Sequence, residues 1–100
     1  MPVAYIQEFP IGDRSTENYE FMKEKLAGQQ IQGLLVHTAG FDDDNQVWRL
    51  VDVWETREDA ERFMQRMMEM VTPEELPRPD TATQRPDREG YYELHDFVKN

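Results

Sequence analysis

The sequence contains no cysteine, which excludes a disulfide scaffold, a zinc–thiolate site and a cysteine nucleophile. It also lacks any stretch that approaches 18 consecutive apolar residues, so we expect no membrane-spanning helix. The segment 1–5 begins directly in a strand-like pattern, without the basic and apolar regions of a signal peptide. We therefore expect a cytoplasmic protein.

Basic residues are also few, because Lys and Arg total 11 against 21 Asp and Glu, giving a formal net charge of −10. Phosphate backbones and anionic lipids repel such a chain, so neither nucleic acid nor a membrane is an expected partner. The 100 residues suffice for a single domain, 1–100, whose core is small. A domain of this size is often marginal alone, which favours an oligomer.

The apolar patterns follow one another in the order β-α-β-β-α-β. Thr56 caps the second helix, and Asp59 completes an approximate capping box. This order predicts an α+β, ferredoxin-like fold in which a four-stranded antiparallel sheet carries two helices on one face. The expected elements are a strand over 3–9, a helix over about 16–27, strands over 31–39 and 47–54, a helix that begins after Thr56 and ends before Pro73, a proline-rich loop over 72–90 and a strand over 91–98.

The second helix has the clearest amphipathic pattern of the chain. Glu58 and Arg62 are spaced as an exposed i, i+4 ion pair. The methionines of its apolar side are expected in the core, although they would also suit a pliable pocket wall. The predicted apolar stripe consists of Ala60, Phe63, Met64, Met67, Met68 and Val71.

The second and third strands are apolar on both faces, whereas both helices cover only one face of the sheet. The other face needs a cover, and a second copy of the chain would supply it. The pattern therefore predicts a homodimer.

Two segments carry a family resemblance. They are GLLVHTAG at 33–40 and VWRLVDVWETREDAERF at 47–63, in which a strand ends in Trp54 and leads through Glu55 and Thr56 into a helix. The chain resembles the dimeric α+β barrel superfamily, which contains the antibiotic-biosynthesis-monooxygenase-like domains. The resemblance implies a homodimer whose sheets pair into an α+β barrel, with a small-molecule pocket in each protomer. The family includes cofactor-independent monooxygenases, haem-degrading enzymes, lactone isomerases, polyketide cyclases and proteins without known activity.

The hairpin between the second and third strands contains the main candidate site. If Phe41 and Gln46 flank the turn, His37 lies opposite Leu50 and shares a face with Asp52. A carboxylate beside a histidine can orient it and make it more basic, as a general base requires. The alternative interpretation is a structural His–Asp hydrogen bond in a closed core.

Other residues of the hairpin and of the second helix are candidates for substrate contact. Arg49 could stabilise a substrate anion, or it could pair with an acid on a helix or across the dimer. Two tryptophans on the face of His37 would suit a flat aromatic ligand, or they could simply fill space. The predicted substrate-binding residues are Trp48, Trp54, Leu35, Phe63 and Met67.

No metal site is predicted from the sequence. The two histidines, His37 and His95, fall on opposite edge strands of the usual ferredoxin-like order, so a metal that they share would need two protomers. We expect an enzyme of the monooxygenase, isomerase or cyclase type that acts on an apolar, aromatic or polyketide-like molecule without a metal or organic cofactor. The alternative is a non-catalytic dimeric ligand-binding or structural protein.

Overall fold

The computed structural model describes residues 1–81 and 85–99. It confirms the predicted β-α-β-β-α-β order. The elements are β1 (Val3–Pro10), α1 (Glu17–Leu26), β2 (Leu34–Asp42), β3 (Val47–Trp54), α2 (Arg57–Met70), two 3₁₀ turns (Pro73–Glu75 and Pro79–Thr81) and β4 (Arg88–Glu93).

The four strands form one antiparallel sheet in the order β2-β3-β1-β4, so the ferredoxin-like α+β fold is confirmed. Both helices lie on the same face of this sheet. Tyr19 of α1 contacts Trp48 of β3, and Phe63 of α2 packs against Trp54 at the end of the same strand. Among the helices of the described ranges, none is long and apolar enough to span a membrane.

The register of the β2–β3 hairpin differs from the prediction by two residues. His37 lies opposite Asp52 rather than Leu50, because the strands pair as far as Asp42 and Val47. Asp42 closes the turn by accepting a hydrogen bond from the backbone N–H of Asn45 at 3.1 Å. An even shift preserves the alternation of side chains, so His37 and Asp52 still share a face.

A bulge interrupts β2 at Leu35. Leu34 pairs with Trp54 and Val36 pairs with Val53, so Leu35 is the extra residue between them. Leu35 therefore has no directly opposed residue on β3.

The core lies under α2, at the end of the sheet where β3 finishes. Tyr5, Trp54 and Ala60 are buried there. In contrast, α1 has no buried residue. The half-buried residues that pack around the core are Val3, Ile31, Leu34, Phe63, Met64 and Tyr91.

The first turn of α2 has the predicted cap, since Thr56 Oγ1 accepts a hydrogen bond from the backbone N–H of Asp59 at 3.1 Å. The predicted Glu58–Arg62 pair is wrong. Arg62 binds Asp59 at 2.8 Å instead, because the cap holds that carboxylate within reach. Met68 is 79% exposed and does not belong to the apolar stripe. At 100° per residue, Met68 lies about 80° around the helix from Ala60, at the edge of the stripe.

The C-terminal third differs from the prediction at two places. β4 spans Arg88–Glu93 rather than 91–98, because its partner β1 begins at Val3, opposite Glu93. The predicted loop over 72–90 contains both 3₁₀ turns and the first three residues of β4, and its residues 82–84 lie outside the described ranges. Arg78 of this segment is fixed to α1, since its N–H donates to Asn18 Oδ1 at 2.8 Å and its carbonyl accepts from Asn18 Nδ2 at 3.0 Å.

Gly33 joins the start of β2 to the first turn of α2. Its φ is +83°, and its carbonyl accepts a hydrogen bond from Glu55 N–H at 2.8 Å. A Cβ at this position would lie 2.3 Å from Asp59 Oδ2. The position therefore requires glycine for its backbone conformation and for its lack of a side chain.

We predict that Gly33→Ala destabilises the fold more than Gly28→Ala. Both positions have similar φ values, +83° and +79°, so both variants bear a backbone strain of about 1–3 kcal/mol. Only the alanine at 33 also meets the Asp59 carboxylate, since a Cβ at Gly28 has no atom within 4 Å. Urea denaturation of the two variants measures the difference. Equal losses of stability would show that the contact with Asp59 does not matter.

Candidate active site

A row of four side chains crosses the whole sheet on its helix-covered face. His37 of β2 lies opposite Asp52 of β3, Asp52 lies opposite Tyr5 of β1, and Tyr5 lies opposite Tyr91 of β4. Directly opposed residues of antiparallel strands point to the same side. The register therefore brings an imidazole, a carboxylate and two phenols together at one level.

His37 is hydrogen-bonded through both ring nitrogens. Its Nδ1 is 2.5 Å from Asp52 Oδ1, and its Nε2 is 2.7 Å from the Tyr19 hydroxyl. The carboxylate only accepts, so Nδ1 carries a proton, and in the neutral ring Nε2 accepts a hydrogen bond from Tyr19. The predicted His37–Asp52 pair is present, and α1 adds a third member to it.

The electrostatics of this cluster make His37 more basic. The hydrogen bond to Asp52 raises the pKa of His37 above its ordinary value of 6.5, against the opposing effects of burial and of Lys23. Burial raises the pKa of Tyr19, and the charges of Glu20 and Asp52 add to this effect. The phenol is therefore protonated at neutral pH. The His37 side chain is 41% exposed and that of Asp52 only 14%, so solvent reaches the imidazole more readily than the carboxylate.

Aromatic rings form a wall beside His37. The Trp48 ring lies 5.5 Å from Tyr19 in an edge-on arrangement and 4.7 Å from Phe41. The guanidinium of Arg14 lies 4.2 Å above the Phe41 ring and is paired with Asp43 at 2.5 Å. Tyr19 joins this aromatic wall of Trp48 and Phe41 to His37, since the wall lies four residues along the hairpin from the His37–Asp52 pair.

The other predicted substrate-binding residues lie apart from this wall. Trp54 is 1% exposed and packs against Phe63 at 5.4 Å between ring centres, under α2. Met67 is buried on α2, and Leu35 is the half-buried bulge residue. Of the five, Trp48 is the one that the structure places in the ring cluster of Tyr19 and His37.

Arg49 lies on the opposite face of the sheet from His37. Its guanidinium binds Glu8 at 2.6 Å and Asp42 at 2.8 Å. It thus pairs with acids of the sheet itself rather than of a helix. A surface cleft of about 240 Å³ includes Arg49 in its lining and opens on this face. The structure does not bring Arg49 together with His37 and Asp52.

Tyr5 and Glu89 extend the polar row beyond Asp52. The Tyr5 hydroxyl donates to Glu89 Oε2, and its ring stacks on Tyr91 at 4.5 Å. Burial and this contact with Glu89 raise the pKa of Tyr5. In residues 1–81 and 85–99 no three His, Asp or Glu side chains form a cluster that could hold a metal ion.

Sequence reasoning did not identify Tyr19 as a site residue. Its spacing with Met22 and Leu26 indicates the apolar side of a helix and so favours a core position. The sequence signal that could have identified Tyr19 is its hydroxyl. The βαββαβ order places the apolar side of α1 over the sheet, and Tyr19 brings a polar group to that side.

Comparisons with known proteins find solved structures of the same fold, but no match to a family profile or to a curated sequence. No protein-family profile matches the chain, and no curated protein matches it. A provisionally named antibiotic biosynthesis monooxygenase from Chloroflexus aurantiacus matches with a TM-score of 0.59 at 11% identity, over 99% of this chain and 98% of that one. A second protein of the same provisional name, from Bordetella bronchiseptica, matches with a TM-score of 0.55 at 13% identity, over 93% and 96%.

The chain has the antibiotic-biosynthesis-monooxygenase-like fold. The resemblance seen in the segments 33–40 and 47–63 is confirmed at this level. At 11% and 13% identity the likeness shows the fold alone, and one fold can host many functions. Any reaction of this chain therefore depends on its own side chains.

We predict that Asp52→Asn lowers the pKa of His37. The amide removes the negative charge that favours the imidazolium, whereas burial and Lys23 still oppose it. An NMR titration of the imidazole C–H signals measures the change, and the chain has only one other histidine, His95, to assign.

The same titration has a consequence for stability. Because the pKa of His37 is higher in the folded chain than its ordinary 6.5, the Asp52 interaction stabilises the fold fully below that pH. This stabilisation is lost as the pH rises through the raised pKa. A His37 titration that is the same in the wild type and in Asp52→Asn would contradict the pairing.

Proposed function

We propose that the chain is a small-molecule enzyme of the monooxygenase, isomerase or cyclase type, in which His37 is the base and Asp52 orients it. The observation that carries the proposal is the His37–Asp52 hydrogen bond of 2.5 Å beneath α1, with the imidazole 41% exposed. A base that is aligned by a carboxylate and remains accessible is what proton abstraction requires.

The three reaction types share a first step, which is removal of a proton from a carbon beside a carbonyl group. The resulting enolate can take up a proton at another carbon, attack a second carbonyl, or transfer an electron to O₂. These outcomes correspond to isomerisation, cyclisation and oxygenation. In each case the electrons come from the substrate, so the proposed reaction uses no metal or organic cofactor.

The aromatic wall beside His37 supports an apolar, aromatic or polyketide-like substrate. Trp48 and Phe41 offer ring faces, and a substrate held against them would lie next to Tyr19 and His37. The two structural neighbours are named as monooxygenases, which is one of the three proposed reaction types.

We further propose that the protein acts as a cytoplasmic homodimer. The face of the sheet that the helices leave open carries apolar side chains from all four strands, and a second copy would bury them. Its central residues are Ile6, Val36, Val51, Val53 and Tyr92, of which Tyr92 is 50% exposed, whereas Ala4 on the same face is already buried within one chain.

The proposed homodimer predicts the mass that the protein has in solution. Light scattering at micromolar concentration should return about twice the chain mass of 11.9 kDa, and Val51→Lys should reduce it to one chain by placing a charge in the apolar interface. Met68→Lys is the matched control, because Met68 is already exposed on α2. A wild-type mass of one chain would overturn the dimer.

A non-catalytic ligand-binding or structural role is the second candidate. One observation favours it: Nε2 of His37, the nitrogen that would act as the base, is already engaged by Tyr19 at 2.7 Å. Both nitrogens are then satisfied, as in a structural histidine.

Hydrogen–deuterium exchange separates the two candidates without knowledge of the product. The protein is incubated in D₂O with a panel of aromatic ketones and β-dicarbonyl compounds, and mass spectrometry follows deuterium uptake at the acidic carbon. We predict that wild type accelerates the exchange of at least one compound and that His37→Ala lowers the rate by about 100-fold or more.

Asp52→Asn should retain part of this rate, because the amide keeps the shape of the site but not its charge. Thermal melting of each variant confirms that the fold persists. Binding of panel compounds with equal exchange in wild type and His37→Ala would favour the non-catalytic role.

A further inference from the structure

The Tyr19 hydroxyl lies at the one nitrogen of His37 through which a base would act. Asp52 engages Nδ1 at 2.5 Å, and Tyr19 engages Nε2 at 2.7 Å. The Tyr19 ring is nearly parallel to the imidazole, with 12° between the planes and 5.9 Å between the centres. Because the Tyr19 hydroxyl occupies Nε2, a substrate can reach that nitrogen only if Tyr19 moves away or passes a proton to it.

The Tyr19 oxygen can still accept a proton while its own proton is donated to Nε2. A hydroxyl has one proton and two lone pairs, so Tyr19 can accept a proton while it gives its own to His37. Trp48 meets the Tyr19 ring edge-on at 5.5 Å, which holds the ring between the aromatic wall and the imidazole.

We propose that Tyr19 is the catalytic residue that contacts the substrate and passes the substrate's proton to His37. This inference rests on the proposed function, and it names the group that meets the substrate at that same site. His37 then acts as the proton store, and Asp52 is a positioning residue that acts through it.

The step balances as a double proton transfer. The C–H bond beside the substrate carbonyl breaks, and its proton joins the Tyr19 oxygen as the Tyr19 proton joins His37 Nε2. The electron pair of the C–H bond stays on the substrate as an enolate. Tyr19 ends neutral, and His37 ends as an imidazolium paired with Asp52.

The charged groups around the relay suit this transfer. On α1, Lys23 disfavours the imidazolium, whereas Glu20 disfavours a free phenolate. On β3, Asp52 favours the imidazolium and also disfavours the phenolate. After the transfer, the favoured state therefore has a positive charge on the His37 imidazole and a neutral Tyr19 phenol.

Tyr19→Phe tests the proposal in the same exchange assay. Loss of the hydroxyl should lower the maximal rate by about 100-fold and leave the substrate concentration at half-maximal rate nearly unchanged. The control is Met68→Leu, since Met68 is 79% exposed on α2 and lies outside both the aromatic wall and the proposed dimer interface.

A second variant keeps the hydroxyl and changes only its acidity. With 3,5-difluorotyrosine incorporated at position 19, the alkaline limb of the pH–rate profile should move to lower pH, because the phenol ionises more easily. A tyrosine that merely fills space would leave that limb unmoved.

The outcomes distinguish the two proposals. If Tyr19→Phe keeps the wild-type rate or exceeds it while His37→Ala loses it, His37 acts directly and only the role of Tyr19 is overturned. If wild type and His37→Ala exchange equally, the proposed function is overturned and the role of Tyr19 with it. A lower maximal exchange rate in Tyr19→Phe, together with an alkaline limb at lower pH in the fluorinated protein, supports the relay.

Discussion

The hydrogen bond between His37 and Asp52 depends on one geometric constraint, the direct opposition of these residues across the β2–β3 hairpin. On a face half-covered by helices, an unpaired carboxylate would lose hydration without gaining a partner. The imidazole supplies that partner, and Tyr5 is paired with Glu89 in the same way on this face, toward the β4 edge of the sheet. The polar row can thus exist beside an apolar core because its members satisfy each other.

The helix-covered face has two regions: the end under α2 contains the core, and the end under α1 contains the candidate site. At the end under α2, Trp54 and Ala60 are almost fully buried, so this region holds the fold together. At the other end α1 has no buried residue, and Tyr19 reaches the sheet through a hydroxyl and a ring edge. The weakly packed helix therefore covers the His37–Asp52 pair at an end of the sheet that the core does not occupy.

The fold and the His37–Asp52 pair could be predicted because they depend on periodicity, whereas the exact register could not. Alternation along a strand fixes which residues share a face, and an error of two residues leaves that result unchanged. The register itself depends on the closing of the turn by Asp42 and on the bulge at Leu35, and neither has a clear periodic signal. The end of β4 likewise depends on the first residue of its neighbour β1. Only the three-dimensional pairing contains this information.

Tyr19 could not be assigned from sequence because its importance arises between elements rather than within one. Periodicity places Tyr19 on the inner side of α1, but the distance from its hydroxyl to His37 depends on how the helix crosses the sheet. The likeness to solved structures does not supply this distance either, since 11% or 13% identity transfers a backbone and no side chains. Three ordinary residues from α1, β2 and β3 meet within hydrogen-bonding distance, and in that order they form the proposed relay, which ends at a carboxylate that is largely shielded from solvent.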